Sequence, residues 1–136
     1  MSDPLAGLRQ QYHFMPDEHG RKAWDVYRLI ELSAELPVEE VPIDSIPEID
    51  TIHWFHPQDP PATVRAVIEH AQLIRDADLG YPIILGADGR VMDGMHRIAK
   101  ALMEGRSTVA ARRFVDEPEP DHRNVQAASD LDYHDR

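Results

Sequence analysis

The stretch from Pro82 to Gly105 constrains the fold of this chain more than any other part of its sequence. A short apolar run, Pro82 to Leu85, precedes the turn Gly86-Ala87-Asp88-Gly89, and Arg90 to Met92 follows it, a pattern typical of a β-hairpin. Apolar residues then recur at helical spacing up to Gly105, which is suited to a helix C-terminal cap. These apolar positions are Met95, Ile98, Ala99, Leu102 and Met103. The sequence therefore predicts a hairpin that leads directly into a helix.

Shorter patterns predict the other elements. Apolar spacing indicates an amphipathic helix over Gly20 to Leu36. Pro42 among the apolar residues of Val38 to Ile46, with Pro37 and Pro47 on either side, favours an edge strand. Pro47 to Pro57 has no period and is interpreted as an ordered loop. A second helix is predicted to begin at Asp59-Pro60-Pro61 and to run towards Gly80, and Thr108 to Val115 is predicted to be the last strand.

These elements predict a small α+β protein in which a mixed sheet of short strands packs with helices. Residues 1–36 are interpreted as an N-terminal strap with an added helix, and residues 37–115 as the core. Residues 116–136 are dominated by acidic side chains and are expected to form a mobile tail.

Charge and composition exclude several classes of protein. The chain of 136 residues has 25 acidic and 14 basic residues, a formal charge of −11, which disfavours binding to the phosphate backbone of nucleic acids. It has no cysteine, so disulfides, thiolate metal sites and cysteine nucleophiles are excluded. We find neither the apolar segment of a signal peptide nor a run long enough to span a membrane, and we therefore expect a cytoplasmic protein with no membrane partner.

The start of the third predicted helix has the composition of an anion site. Backbone N–H groups at a helix N-terminus have no intrahelical partner and lie at the positive end of the helix dipole. Gly94 would let a phosphate approach the main chain, Arg97 could hold it with two hydrogen bonds, and His96 and Lys100 lie on the same polar side of the helix. The alternative is purely structural: Asp93 caps the helix, Gly94 forms the turn, and the cations are solvated.

The order of elements and the motif Asp93-Gly94-Met95-His96-Arg97 resemble the ParB/sulfiredoxin superfamily over about Leu36 to Val115. In that superfamily the matching segment binds the phosphates of a nucleotide. The resemblance implies phosphate contacts from Gly94, His96 and Arg97, with Asp93 ordering the turn or lying near a metal ion. The expected nucleotide-binding set is Asp93, Gly94, Met95, His96, Arg97 and Lys100.

Three departures narrow what the resemblance implies. Sulfiredoxins need a reactive cysteine where this chain has Met95, so sulfinic acid reduction is excluded. Partition proteins of the ParB type carry a helix-turn-helix domain after this module, whereas an acidic segment follows Val115 here. DNA binding of the partition type is therefore disfavoured. Kinase members place a catalytic carboxylate in the loop after the first strand, which makes Glu48 and Asp50 the candidate catalytic residues.

Two classes of function remain open. The first is a phosphotransferase or nucleotide hydrolase that uses ATP, ADP or CTP with Mg²⁺. The second is a non-catalytic module that senses a nucleotide or binds a protein, with a basic protein as the partner of its acidic surface. DNA binding or nuclease activity is disfavoured by the charge.

His53 and His56 have no spaced partners and are not predicted to bind metal. Trp54 and Phe55 are expected to pack into the core rather than to stack on a base.

Overall fold

The computed structural model describes residues 11–57, 59–127 and 131, and it has α+β architecture. The chain divides into two compact units. One is formed by Leu36–Val115, and the other by the described parts of Met1–Glu35 and Asp116–Arg136. No helix in the described ranges is long and apolar enough to cross a membrane.

The unit built from both ends of the chain contains a three-stranded antiparallel sheet and one helix. Strand β1 (Tyr12–Pro16) pairs with β2 (Arg21–Asp25), which also pairs with β7 (His122–Val125). Helix α1 (Val26–Ser33) follows β2 directly, because the Asp25 carboxylate accepts a hydrogen bond from the N–H of Tyr27 at 2.9 Å and caps the helix.

The predictions for this unit need two corrections. The helix predicted over Gly20 to Leu36 is wrong for residues 21–25, because these residues pair with β1 and β7 as the central strand β2. Ala23 and Trp24 follow one another on opposite faces of this strand, and both are buried. The expected mobile tail is wrong for His122–Val125, which forms β7. Trp24 fixes the approach to β7 by donating its indole N–H to the Pro118 carbonyl at 2.7 Å. Residues 128–130 and 132–136 of the expected tail lie outside the described residues.

The Leu36–Val115 unit contains a mixed four-stranded sheet with the strand order β3-β6-β4-β5. The strands are β3 (Glu39–Pro42), β4 (Ile83–Leu85), β5 (Val91–Asp93) and β6 (Thr108–Arg113). Strands β4 and β6 are parallel, and the other pairs are antiparallel. The predicted hairpin is confirmed as β4 and β5, and the predicted proline-rich edge strand as β3, which pairs only with β6 among the described strands.

Two helices accompany this sheet, α2 (Val64–Asp76) and α3 (Met95–Met103). The prediction that α2 begins at Asp59-Pro60-Pro61 is wrong, because Thr63 is the cap and its hydroxyl accepts from the N–H of Ala66 at 3.1 Å. Gly105 has a φ of 78° just after α3, as expected for a C-terminal cap. Two short 3-10 segments, Ile43–Ser45 and Pro47–Asp50, lie within the predicted edge strand and loop.

The core of this unit lies between the sheet and α3. It is lined by buried residues of the four strands, α3, the first 3-10 segment and the residue that follows that segment: Val41, Ile43, Ile46, Ile83, Leu85, Val91, Ile98, Ala101, Val109 and Ala111. The predicted apolar stripe of α3 is therefore right for Ile98 but wrong for Leu102 and Met103, which are 46% and 79% exposed. Helix α2 has no buried residue, and Val64 at its start is 78% exposed, so its apolar periodicity does not mark a core face.

Candidate functional site

A cavity of about 460 Å³ lies within the Leu36–Val115 unit, between residues 48–55 and one side of α3. Glu48 and His53 are the titratable side chains that line it, and most of its wall is apolar or aromatic. Helix α3 contributes Met95, Ile98, Ala99 and Leu102. Because Met95 is the first residue of α3, the cavity extends to the N-terminal turn of that helix.

Glu48 brings a carboxylate to this cavity because it belongs to the 3-10 segment that begins at Pro47. Its Oε2 accepts a hydrogen bond from the backbone N–H of Val91 at 2.6 Å, which ties the segment to β5. Its Oε1 is buried and has no hydrogen-bond donor among the described residues. Asp50, the other candidate catalytic residue, is exposed and does not line the cavity. Glu48 therefore lies at the cavity and Asp50 does not, a difference that the sequence alone did not predict.

His53 is the second titratable group on the cavity wall. Burial lowers the pKa of His53, because it penalises the charged imidazolium. The carboxylates of Glu48 and Asp59 oppose this effect, and the neighbouring His70 adds to it. The net lowering favours the neutral imidazole, which has one ring nitrogen that donates a hydrogen bond and one that accepts.

Trp54 covers a pair of histidines, His70 and His96, that no local sequence pattern connects. The rings of His70, on α2, and His96, on α3, are joined by a hydrogen bond of 2.9 Å between Nδ1 and Nε2. The Trp54 ring stacks on both, at centroid distances of 4.6 and 4.5 Å. Burial lowers the pKa of His70, and Glu69 opposes that shift. This cluster holds residues 48–55 against the two helices, and it differs from the expectation that Trp54 plugs the core.

The motif cations do not form the predicted cluster at the start of α3. The Arg97 guanidinium donates to the carbonyls of Tyr81 at 3.2 Å and Pro82 at 2.6 Å, and it forms a 2.7 Å ion pair with Asp93. Lys100 donates to the carbonyls of Arg75 at 2.9 Å and Ala77 at 2.7 Å. Both cations therefore satisfy backbone groups, Arg97 before β4 and Lys100 at the end of α2. Asp93 is paired with Arg97 and does not cap α3.

Gly94 is the N-cap of α3 and has a φ of 115°, a backbone conformation that favours glycine. A Cβ at this position would lie 2.5 Å from Cγ2 of Ile83, which is fully buried. Close packing against Ile83 is therefore sufficient to explain the glycine, and the position where a side chain would point is occupied by the core. This differs from the expectation that the missing Cβ makes room for a phosphate.

The N-terminal turn of α3 nevertheless remains suited to an anion. The first intrahelical hydrogen bond runs from the N–H of Ile98 to the carbonyl of Gly94, and no side chain caps the helix. The positive end of the helix dipole thus lies at the Met95 end of the cavity. Within the described ranges no group of three or more His, Asp or Glu side chains could hold a metal ion.

Comparison of the chain with known protein families, curated proteins and solved structures found no match. The description of the candidate site therefore rests on the structure of this chain alone. Of the predicted residues, the structure brings Glu48 and Met95 to the cavity and leaves Asp50 outside it. Sequence analysis missed the roles of His53 and His70. His70 is 26 positions from its partner, a separation that no local pattern reveals.

Proposed function

We propose that the Leu36–Val115 unit is a nucleotide-binding module. Its ligand lies along α3, with the phosphates at the N-terminal turn and the base in the cavity beside Trp54 and Phe55. The observation that carries this proposal is the extent of the cavity, whose lining includes both the first residue of α3, Met95, and the aromatic residues of the 48–55 segment. One ligand can therefore reach an anion site and an aromatic wall at the same time.

The size and chemistry of the cavity agree with this class of ligand. A volume of about 460 Å³ is within the range of small-molecule sites, which are mostly apolar and have a few polar groups that fix orientation. Here those groups are Glu48 and His53. An acidic chain needs a local source of positive potential to hold phosphates, and the end of α3 supplies one.

The geometry favours binding over phosphoryl transfer. Enzymes of phosphoryl transfer stabilise the transferred group with cations, and Arg97 and Lys100 were the cations predicted to lie at the phosphates. Both donate to backbone carbonyls of the protein, and Arg97 is also paired with Asp93. The expected activity is therefore nucleotide sensing, with Mg²⁺ offsetting the phosphate charge, and with no turnover.

The test compares a variant that fills the cavity with a control on the same helix. We expect ATP, ADP, CTP or GTP, with or without Mg²⁺, to raise the melting temperature, because a ligand that binds the native state stabilises it. Ala99→Phe places a ring in the cavity and should abolish the shift. Met103→Phe, at an exposed position, should preserve it. Phosphate release should stay at the level of the buffer.

Two results would count against the proposal. If no nucleotide changes the melting temperature of the wild-type protein, the cavity is not a nucleotide site. If Ala99→Phe and the wild type give equal shifts, the nucleotide binds elsewhere. Phosphate release that is lost in Glu48→Gln would instead favour a hydrolase or phosphotransferase with Glu48 as its base.

A further inference from the structure

Residues 53–55 are held against α2 and α3 by ring contacts rather than by backbone pairing. Trp54 stacks on the rings of His70 and His96, and Phe55 meets the His70 ring edge-on at a centroid distance of 5.2 Å. Among the described residues, no backbone–backbone hydrogen bond joins residues 52–55 to either helix or to the sheet. The position of residues 53–55 therefore depends on the two histidine rings.

The two imidazoles form a flat surface beneath Trp54 only while their hydrogen bond is intact. Nδ1 of His70 and Nε2 of His96 lie 2.9 Å apart, and the two ring planes differ by 19°. The plane of the Trp54 ring differs from these planes by 20° and 10°, so one indole covers both imidazoles. Separation of the two imidazoles would therefore remove the surface on which Trp54 stacks.

The contact between the two nitrogens has room for one proton. When both imidazoles are neutral, one of the two nitrogens donates and the other accepts, and when one ring is protonated, the imidazolium donates to the neutral ring. A positive charge on one ring also strengthens its attraction to the face of Trp54. When both rings are protonated, two N–H groups and two like charges face each other, and the hydrogen bond cannot form.

The charged groups around the pair do not remove this conflict. Glu69 favours the charged form of His70, but burial outweighs it and lowers the pKa of His70. On the neighbouring segment, the charge of His53 is opposed by His70 and favoured by Glu48 and Asp59.

The charged side chains of α3 add to the conflict. Lys100 lies one turn along the helix from His96, and its positive charge raises the cost of a second imidazolium. Arg97 is paired with Asp93 at 2.7 Å, which offsets its charge.

We infer that the His70–His96 pair is a pH-sensitive latch, which holds residues 53–55 against the helices at neutral pH and releases them when both imidazoles are protonated. Residues 53–55 line the cavity, so their release opens its wall. Glu48, at the other end of the segment, stays tied to β5 through the Val91 N–H at 2.6 Å. The cavity therefore opens locally on acidification. The latch does not depend on which ligand the cavity takes.

NMR of the full chain without nucleotide, from pH 7.5 downwards, tests the latch. While Trp54 is stacked, its ring current should shift the Hε1 signals of His70 and His96 upfield. These shifts should be lost below pH 6.5, while the amide signals of Ile83 and Leu85 in the sheet keep their native positions.

Quenching of tryptophan fluorescence by acrylamide gives a second readout. Trp24, in the other unit, is fully buried, so the change in quenching reports on Trp54. Quenching should increase over the same pH range in which the ring-current shifts are lost.

Three variants identify the trigger. His70→Phe and His96→Phe each keep an aromatic ring beneath Trp54 but leave a single imidazole, so Trp54 should stay stacked and protected from acrylamide at low pH. Two variants of the pair guard against misfolding of one of them. His53→Phe removes the neighbouring titratable group and leaves the pair intact, so it should keep the wild-type transition.

Three results would overturn the latch. In the first, the ring-current shifts persist until the signals of Ile83 and Leu85 also change, so that residues 53–55 leave only when the unit unfolds. In the second, His70→Phe and His96→Phe release Trp54 as the wild type does. In the third, His53→Phe alone abolishes the release, which would assign the trigger to His53.

Discussion

Gly94 offers the sharpest test of how the candidate site is built, because its environment predicts a large effect from one methyl group. Its φ of 115° lies outside the region that side chains ordinarily adopt, and an added Cβ would lie 2.5 Å from Cγ2 and 2.8 Å from Cβ of Ile83. The backbone strain costs about 1–2 kcal/mol, and overpacking a core adds about 1–3 kcal/mol. We therefore expect Gly94→Ala to lower the free energy of unfolding by about 2–5 kcal/mol.

Gly105 provides a matched control in the same unit. It also has a positive φ, 78°, but a Cβ there would meet no atom within 4 Å. Gly105→Ala should therefore cost only the backbone part, about 1–2 kcal/mol. The difference between the two variants isolates the packing contribution of Ile83.

Urea unfolding followed by NMR is the appropriate assay, because the chain has two units. The amide signals of Ile83 and Leu85 report on the Leu36–Val115 unit alone. With a urea dependence of about 1–3 kcal/mol per molar, Gly94→Ala should unfold at a clearly lower urea concentration than Gly105→Ala. Equal midpoints would refute the packing argument, and the glycine would then require another explanation, such as contact with a ligand.

Two further predictions concern the groups around the site. Arg97→Ala should destabilise the Leu36–Val115 unit by about 2–3 kcal/mol, because the guanidinium holds Tyr81, Pro82 and Asp93. Arg97→Lys should not restore this stability, since a single ammonium cannot reproduce the forked geometry of the guanidinium. Equal stability of Arg97→Ala and the wild type in urea would disprove this prediction. Because burial lowers the pKa of His70 and His53, the unfolded state binds more protons just below pH 6.5, so stability should fall as the pH decreases below that value. Urea midpoints at pH 7.5 and pH 5 measure this change, and a higher midpoint at pH 5 would contradict it.

The parts of the fold that the sequence predicted well are those fixed by local patterns. The β4-β5 hairpin has its turn glycines between two apolar runs, and Gly89 adopts the positive φ of 85° that such a turn requires. The edge position of β3 was predicted from its proline, Pro42, which has no N–H to donate to a second neighbouring strand. In both cases the residues that determine the structure are adjacent in sequence.

The predictions that were wrong depended on partners distant in sequence. Residues 21–25 satisfy a helical period, but pairing with β1 and β7 makes them a strand. The hydrogen bonds from Arg97 to the carbonyls of Tyr81 and Pro82 could not be predicted either, because they depend on how the loop after α2 packs against α3.

The candidate site was predictable only in part, for the same physical reason. The sequence predicted the start of α3 and included Glu48 among the candidates, but no sequence pattern distinguishes Glu48 from Asp50 in burial. The Val91 N–H makes that distinction, and it lies 43 positions away. The stack of Trp54 on His70 and His96 joins three separate elements and likewise has no local signature.

The most direct test of nucleotide binding in the cavity is an NMR titration of the full chain with ATP and Mg²⁺. We expect the largest shifts at the amides of Met95, His96 and Arg97 and at the indole N–H of Trp54. The other unit has a groove lined by two cations, Lys22 and Arg123, beside the carboxylates of Asp17 and Glu18, and binding of ATP there is the competing outcome. Shifts confined to that groove, with Met95 and Trp54 unchanged, would contradict the account.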